Sequence, residues 1–137
     1  MDKNFQTISP VNGSIYLERP YTVASEVDNV LTTAVDVQKS WQACTVEERV
    51  AILSRAIDAL VAEKDRIAEE LTWQMGRPIS QAPGEIGGLE ERARHMIAIA
   101  PKALADVVPD RPPGFNRFIR RGPLGVVVIL APWNFPY

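Results

Sequence analysis

Asn134 is the residue of this chain best suited to chemistry. It sits in Ala131-Pro132-Trp133-Asn134-Phe135-Pro136, directly after the β-branched run Val126-Val127-Val128-Ile129-Leu130. A side-chain amide offers two N–H donors and has no proton to lose, so it can face a carbonyl oxygen that is gaining negative charge. Where preorganised donors of this kind have been removed, the loss is about 3–4 kcal/mol. The competing role for an asparagine in this position is that of a turn former bonding its own backbone. Pro132 and Pro136 fix φ on either side and lack N–H groups, which stiffens the loop and holds Trp133 and Asn134 in one orientation.

Other chemically capable side chains are sparse. Cys44 is the single cysteine, with no histidine or basic cluster near it in sequence, and reads as a small buried hydrophobe. His95, the single histidine, has no partner at metal-ligand spacing. Arg117, Arg120 and Arg121 form a local basic cluster that fits a solvated strand edge better than a phosphate site. The acids and bases of Glu90-Glu91-Arg92-Ala93-Arg94 are spaced for helix-surface pairing.

The elements that must position Asn134 can be followed along the chain. Residues Phe5 to Arg19 alternate loosely, with the turn signal Asn12-Gly13 between them, which predicts a short hairpin. From Ser25 the period changes. Val27, Val30, Leu31, Ala34, Val35 and Trp41 share a helical face, with Ser25 and Asp28 as an expected capping box. Thr45 and Glu48 open a second helix with Val46, Val50, Leu53, Ile57, Leu60 and Val61 inward. A bend is expected at Glu63-Lys64-Asp65-Arg66, and a stop at Gly76 and Pro78. Ser80 is the expected cap of a further helix facing inward through Ile86, Leu89, Ala93, Ile97 and Ala100. Gly84, Gly87 and Gly88 each weaken that helix by about 1 kcal/mol relative to Ala, which predicts close helix packing there. Pro101 is expected to end or kink it. Val108 to Gly114 is Pro-rich and reads as a linker. Phe115 to Arg121 then alternates as a peripheral strand does, and Val126 to Leu130 is apolar on both faces, the pattern of a strand inside a parallel sheet. Ligands of open α/β sheets sit beyond the carboxyl ends of such strands, which is where Asn134 falls.

The 137 residues are 46% hydrophobic and 23% charged, a globular composition. A net charge of −2 offers no global positive field, so nucleic acid is an unexpected partner. One cysteine excludes an intrachain disulfide and suits a reducing cytoplasm. The N-terminus lacks the pattern of a signal peptide, and no apolar run approaches the ~20 residues needed to cross a bilayer. Membrane insertion is not expected.

The run Gly122-Pro123-Leu124-Gly125 followed by Val126 to Leu130 and Ala131-Pro132-Trp133-Asn134-Phe135-Pro136 resembles the aldehyde dehydrogenase superfamily's Pro-Leu-Gly, strand and Pro-Trp-Asn-Phe-Pro. Upstream segments agree in order. Ser9-Pro10-Val11-Asn12-Gly13 resembles the family's N-terminal Asn-Pro-x-Thr-Gly hairpin, and Trp41 with Glu48-Arg49 resembles its Trp…Glu-Arg helix boundary. Gly76-Arg77-Pro78 resembles the Gly-Lys-Pro turn, with Glu85 in place of the acidic residue that follows it. The resemblance covers nearly the whole chain.

It implies an α/β fold in which N-terminal helices and a hairpin lead into the first strand of an incomplete Rossmann-like dinucleotide-binding domain. Residues 1–137 would then be part of an N-terminal cofactor-binding domain, with 115–121 the start of an oligomerisation element and the parent enzyme a homo-oligomer. Leu130, Ala131, Pro132 and Trp133 would line the path of NAD or NADP, and Asn134 would stabilise the tetrahedral intermediate and thioester oxygen. The implied reaction is attack of a cysteine thiolate on an aldehyde, hydride transfer to NAD(P)+, and hydrolysis of the thioester with a glutamate as base. The segments carrying that cysteine, that glutamate, the ribose-binding Lys-Pro and the Gly-rich turn fall downstream of Tyr137, so the chain alone is expected to be inactive and to expose its last strand. Gln74 to Gln81 resembles members acting on succinate semialdehyde and similar small aldehydes. The alternatives are a non-catalytic interaction module and one half of a split enzyme.

Overall fold

The computed structural model describes residues 4–110 and 113–137. Arg111 and Pro112, in the expected linker, and Met1 to Lys3 lie outside the described residues.

The chain opens with an antiparallel hairpin, β1 (Asn4–Ile8) against β2 (Ile15–Pro20). Thr7 faces Leu17 and Ile8 faces Ile15, so the register slips between Thr7 and Ile8. The connection is longer than a two-residue turn. Ser9 N–H donates to the Ser14 carbonyl (2.8 Å), and Gly13, at φ 74°, donates back to Ser9 (2.8 Å). Asn12 Oδ1 accepts from the N–H and hydroxyl of Ser14 at 3.0 and 2.7 Å, the local bonding that suits asparagine to turns. Across the strands, Glu18 accepts from Asn4 (2.8 Å) and Gln6 (3.0 Å), and these bonds, Asn4's the larger, hold its carboxyl below the ordinary carboxylate range. A depressed acid contributes stability that is complete above its ordinary pKa and is lost as pH falls through the folded value. A carboxyl NMR titration should therefore find Glu18 titrating below an ordinary glutamate, and Asn4→Ala with Gln6→Ala should move the midpoint back up.

Four helices follow, α1 (Ala24–Ala43), α2 (Val46–Ala62), α3 (Lys64–Met75) and α4 (Pro83–Ala103). The capping box expected at Ser25 and Asp28 forms two residues earlier. Glu26 Oε2 accepts from Val23 N–H (3.3 Å) while Glu26 N–H donates to the Val23 carbonyl (3.0 Å). Valine has no side-chain acceptor, so only the return half of the box is made. The Thr45 and Glu48 box is complete, with Glu48 N–H on Thr45 Oγ1 (3.1 Å) and Thr45 N–H on Glu48 Oε2 (2.7 Å). The expected bend is a single-residue break at Glu63 (φ −94°, ψ 9°), and Arg66 in the first turn of α3 pairs back with Glu63 and onward with Glu70.

Gly76 ends α3 in the left-handed region (φ 77°), its N–H on the Thr72 carbonyl at 3.0 Å. A Cβ there would lie 2.9 Å from Pro10 Cγ in the hairpin loop. Gly76→Ala meets both a backbone penalty and a ring at close range, and is expected to destabilise the chain by about 1–3 kcal/mol in urea denaturation. An effect within experimental error would show that the hairpin loop does not rest on α3.

Ser80 does not cap α4. It lies in a turn where the N–H groups of Gln81 and Ala82 donate to the Pro78 carbonyl (2.8 and 3.0 Å), and the helix begins at Pro83, whose missing N–H would be an orphan in any case. Pro101 does not end α4 either, since the helix runs on to Ala103 and Leu104 N–H reaches the Ala100 carbonyl (2.9 Å).

The buried core is small. Ile57 of α2, Ile67, Ala68 and Leu71 of α3, and Ala82 and Ile86 at the start of α4 are buried, with Leu60, Val61, Met75 and Leu89 packed around most of them. The main helix packing is α2 on α4 and α3 on α4. Arg94 joins α4 to α2 through Asp58 (2.7 Å) and makes the expected pair with Glu90 (2.8 Å). One helix face is left uncovered, and one expectation fails on packing. No residue of α1 is buried, and its apolar stripe stays open, with Leu31 40% and Val30 65% exposed. Among the described residues a Cβ on Gly84, Gly87 or Gly88 would meet nothing within 4 Å, so the close packing expected of these glycines is not made there.

Beyond α4 the chain crosses back on itself. Val107 and Ile119 form an isolated antiparallel bridge (N···O 3.0 and 2.8 Å), which is all that forms of the strand expected over Phe115 to Arg121. The run Val126 to Leu130 carries no ladder, and its exposure rises from 39% at Val126 to 90% at Leu130. Strand backbone groups need a neighbouring strand, and among the described residues none lies alongside. The expected parallel-sheet strand is therefore an unpaired apolar segment here.

Candidate functional site

Gly125, at φ 98°, turns the chain into the apolar run that leads to Asn134. The loop after it closes as a four-residue turn in which Phe135 N–H donates to the Pro132 carbonyl (3.3 Å), with Trp133 and Asn134 at its tip. Leu130, Ala131, Pro132, Trp133 and Asn134 are all exposed, and Pro136 is half-buried. Among the described residues the Asn134 side chain has no hydrogen-bond partner, so the self-bonding expected of a turn former is not made. No non-glycine residue described has positive φ, so the turn does not require asparagine for a left-handed conformation either.

The five expected site residues thus share one turn and its approach, without walls around them. Cys44 is not brought near them. It lies at the C-cap of α1 with its thiol directed at the Ser40 carbonyl (3.6 Å), half-buried rather than buried as expected. His95 is exposed on α4, and no cluster of His, Cys, Asp or Glu able to hold a metal occurs among the described residues. Arg120 pairs with Asp106 (3.3 Å) and stacks over Phe118 (4.8 Å to the ring centre), while Arg117 and Arg121 are exposed; of the strand edge expected to carry them only the Val107–Ile119 bridge forms.

Arg77 and Glu85, singled out by the Gly-Arg-Pro turn, form an ion pair between the end of α3 and the start of α4. What sequence reasoning missed is an apolar groove between α2 and α4 closed by Trp41. Val50, Leu53 and Ile97 lie on the expected helix faces, but the groove also takes Met96 and Leu104, which no single period identifies.

Comparison with known proteins adds the context that the isolated turn lacks. The model of the aldehyde dehydrogenase family matches residues 1–137. The chain is 33% identical over 129 residues to 3,6-anhydro-alpha-L-galactose dehydrogenase of Streptomyces coelicolor, covering 94% of this chain and 26% of that protein. To the mitochondrial succinate-semialdehyde dehydrogenase of Arabidopsis thaliana it is 25% identical, covering 98% and 26%. Among solved structures, P. syringae AldA indole-3-acetaldehyde dehydrogenase in complex with NAD+ and IAA aligns with a TM-score of 0.89 at 28% identity, covering 98% of this chain and 28% of that one. The NADP-dependent glyceraldehyde-3-phosphate dehydrogenase of Bacillus halodurans C-125, complexed with NADP, gives 0.86 at 27% identity, covering 97% and 29%. The chain spans about a quarter of the length of the curated relatives it matches, 26–28%. With the family model matched from end to end and the Pro-Trp-Asn-Phe-Pro turn in place, the chain belongs to the aldehyde dehydrogenase family.

Proposed function

We propose that this chain supplies the first part of the cofactor-binding domain of an enzyme that oxidises an aldehyde to a carboxylic acid with NAD+ or NADP+. The observation that carries the reading is the Pro132–Phe135 turn, which holds an unengaged amide, Asn134, at the end of an apolar segment. Leu130, Ala131, Pro132 and Trp133 fit one edge of a dinucleotide. Leu130 and Trp133 offer exposed apolar surface, and the backbone groups of Leu130 and Ala131 have no partners among the described residues. The dinucleotide, when bound, supplies the hydride acceptor. Asn134 donates to the aldehyde oxygen as it gains charge, and Trp133 and Pro132 exclude water from one side. The nucleophilic thiolate belongs to a segment other than Cys44, which is packed at the end of α1.

Relatives that use NAD+ and relatives that use NADP both share this part of the fold, so either dinucleotide suits the reading. Small semialdehydes are the proposed substrates. The succinate- and glutarate-semialdehyde dehydrogenases among the relatives support that class, and the Gln74 to Gln81 turn agrees with it. Residues 115–121 are the proposed start of an oligomerisation element, and the working form is a homo-oligomer in the reducing cytoplasm. No helix among the described residues is long and apolar enough to cross a membrane.

The test compares the chain alone with a protein carrying it at the head of a family-length sequence. The longer protein is expected to form NADH or NADPH when given succinate semialdehyde. The chain alone should form none and bind NAD+ no tighter than about 1 mM by calorimetry. Micromolar binding by the chain alone would mean that its cofactor site is already complete.

A further inference from the structure

We propose that a second site, apart from the Leu130 to Asn134 turn, binds an amphiphilic carboxylate, a medium-chain alkanoate, where the end of α1 meets α2 and α4. Two adjoining concavities make it. The first is the apolar groove of about 210 Å³ walled by Val50, Leu53, Met96 and Ile97 and closed by Trp41, itself 37% exposed. The second, of about 280 Å³, is mixed in character, with Gln42, Asp106, Arg120 and Arg121 as its polar lining beside Gly122 and Pro123. Val46, Arg49 and Leu104 line both, so the slot opens directly onto the basin.

The charge of the basin fits an anionic head group. Three guanidinium groups, of Arg49, Arg120 and Arg121, face one carboxylate, Asp106, while Glu47 and Glu48 of the neighbouring helical turn line neither concavity. The Val107–Ile119 bridge draws Arg120 and Arg121 across to the start of α2. Arg120 holds Asp106 at only 3.3 Å with its own side chain 70% exposed, a weak pair that a ligand carboxylate can replace with a bidentate one. Gln42 adds an amide donor. An alkanoate satisfies both halves at once, whereas an alcohol of equal length uses only the slot and inorganic phosphate only the basin.

The test uses the 137-residue chain with Trp73→Phe and Trp133→Phe, so that Trp41 is the sole tryptophan and fluorescence reports from the groove alone. Decanoate is expected to change Trp41 emission saturably, with decanol binding roughly tenfold more weakly, the difference one charged pair contributes. Phosphate alone should leave the emission unchanged. Arg49→Gln with Arg121→Gln should weaken decanoate to the level of decanol and leave decanol as it was. Arg121 is exposed and Arg49 half-buried, and circular dichroism shows whether the double variant is folded. Equal binding of decanol and decanoate, an unsaturable response, indifference to the arginine changes, or a phosphate response matching that of decanoate would each overturn the proposal.

Discussion

Alanine at position 134 is expected to lower kcat by about 10²–10³-fold in the full-length enzyme while changing KM far less. An amide donor aimed at a carbonyl oxygen contributes little to the neutral aldehyde and much to the oxyanion, so its loss falls on the chemical step. Asn134→Asp should cost at least as much, because it removes the donors and places a carboxylate against the developing charge. Asn134→Gly separates the two roles that the residue type allows. Glycine keeps the Pro132–Phe135 turn and removes the amide, so a turn former would tolerate it and an oxyanion donor would not. The structure supports the second role, since Asn134 neither bonds its own backbone nor adopts a left-handed conformation. Steady-state kinetics on the three variants decide between them. An Asn134→Gly enzyme retaining most of its kcat would remove Asn134 from the chemistry.

What could be read from the sequence, and what could not, divides by how far each feature reaches through the chain. The Thr45–Glu48 box, the Glu63 break and the Gly76 stop each depend on three or four consecutive residues, and each forms where expected. The cap of α1 falls earlier than expected. A serine at position 25 is a better acceptor than Val23, yet Glu26 secures the earlier start by reaching back to the Val23 N–H. The identity of the Pro132–Pro136 turn was legible for the same reason of compactness. Packing was not. The periods of α1 and α4 locate apolar faces without saying what covers them, and the face of α1 stays open while that of α4 is buried chiefly at Ile86. A glycine in a helix signals either close approach or open space, and in the fold Gly84, Gly87 and Gly88 have the latter among the described residues. The α2–α4 groove joins Leu53 to Met96 across the whole of α3, a distance over which no sequence period carries information.

Val126 to Leu130 is an apolar run without a ladder. The 137-residue chain is expected to bind ANS and to self-associate through this run, and Val128→Lys is expected to abolish most of the association. Val128 is 67% exposed and its neighbours Ile129 and Leu130 more so. Burying one such side chain contributes about 1.5–3 kcal/mol, so pairing of even two or three between copies is worth several kcal/mol. The exposed stripe of α1 is a rival source of stickiness, but its backbone donors are already used within the helix, whereas those of 126–130 are free to template a ladder. Val30→Lys on α1 should therefore lower ANS binding modestly and leave the oligomers in place. Val128→Pro is the sharper probe. It keeps an apolar side chain but removes a backbone N–H and fixes φ, so association driven by strand pairing should fall with proline almost as far as with lysine. Association driven by apolar contact alone should survive proline and respond only to the charge. Sedimentation of the variants at equal concentration distinguishes the outcomes, and a proline variant that associates as the parent chain does would show that no strand forms between copies.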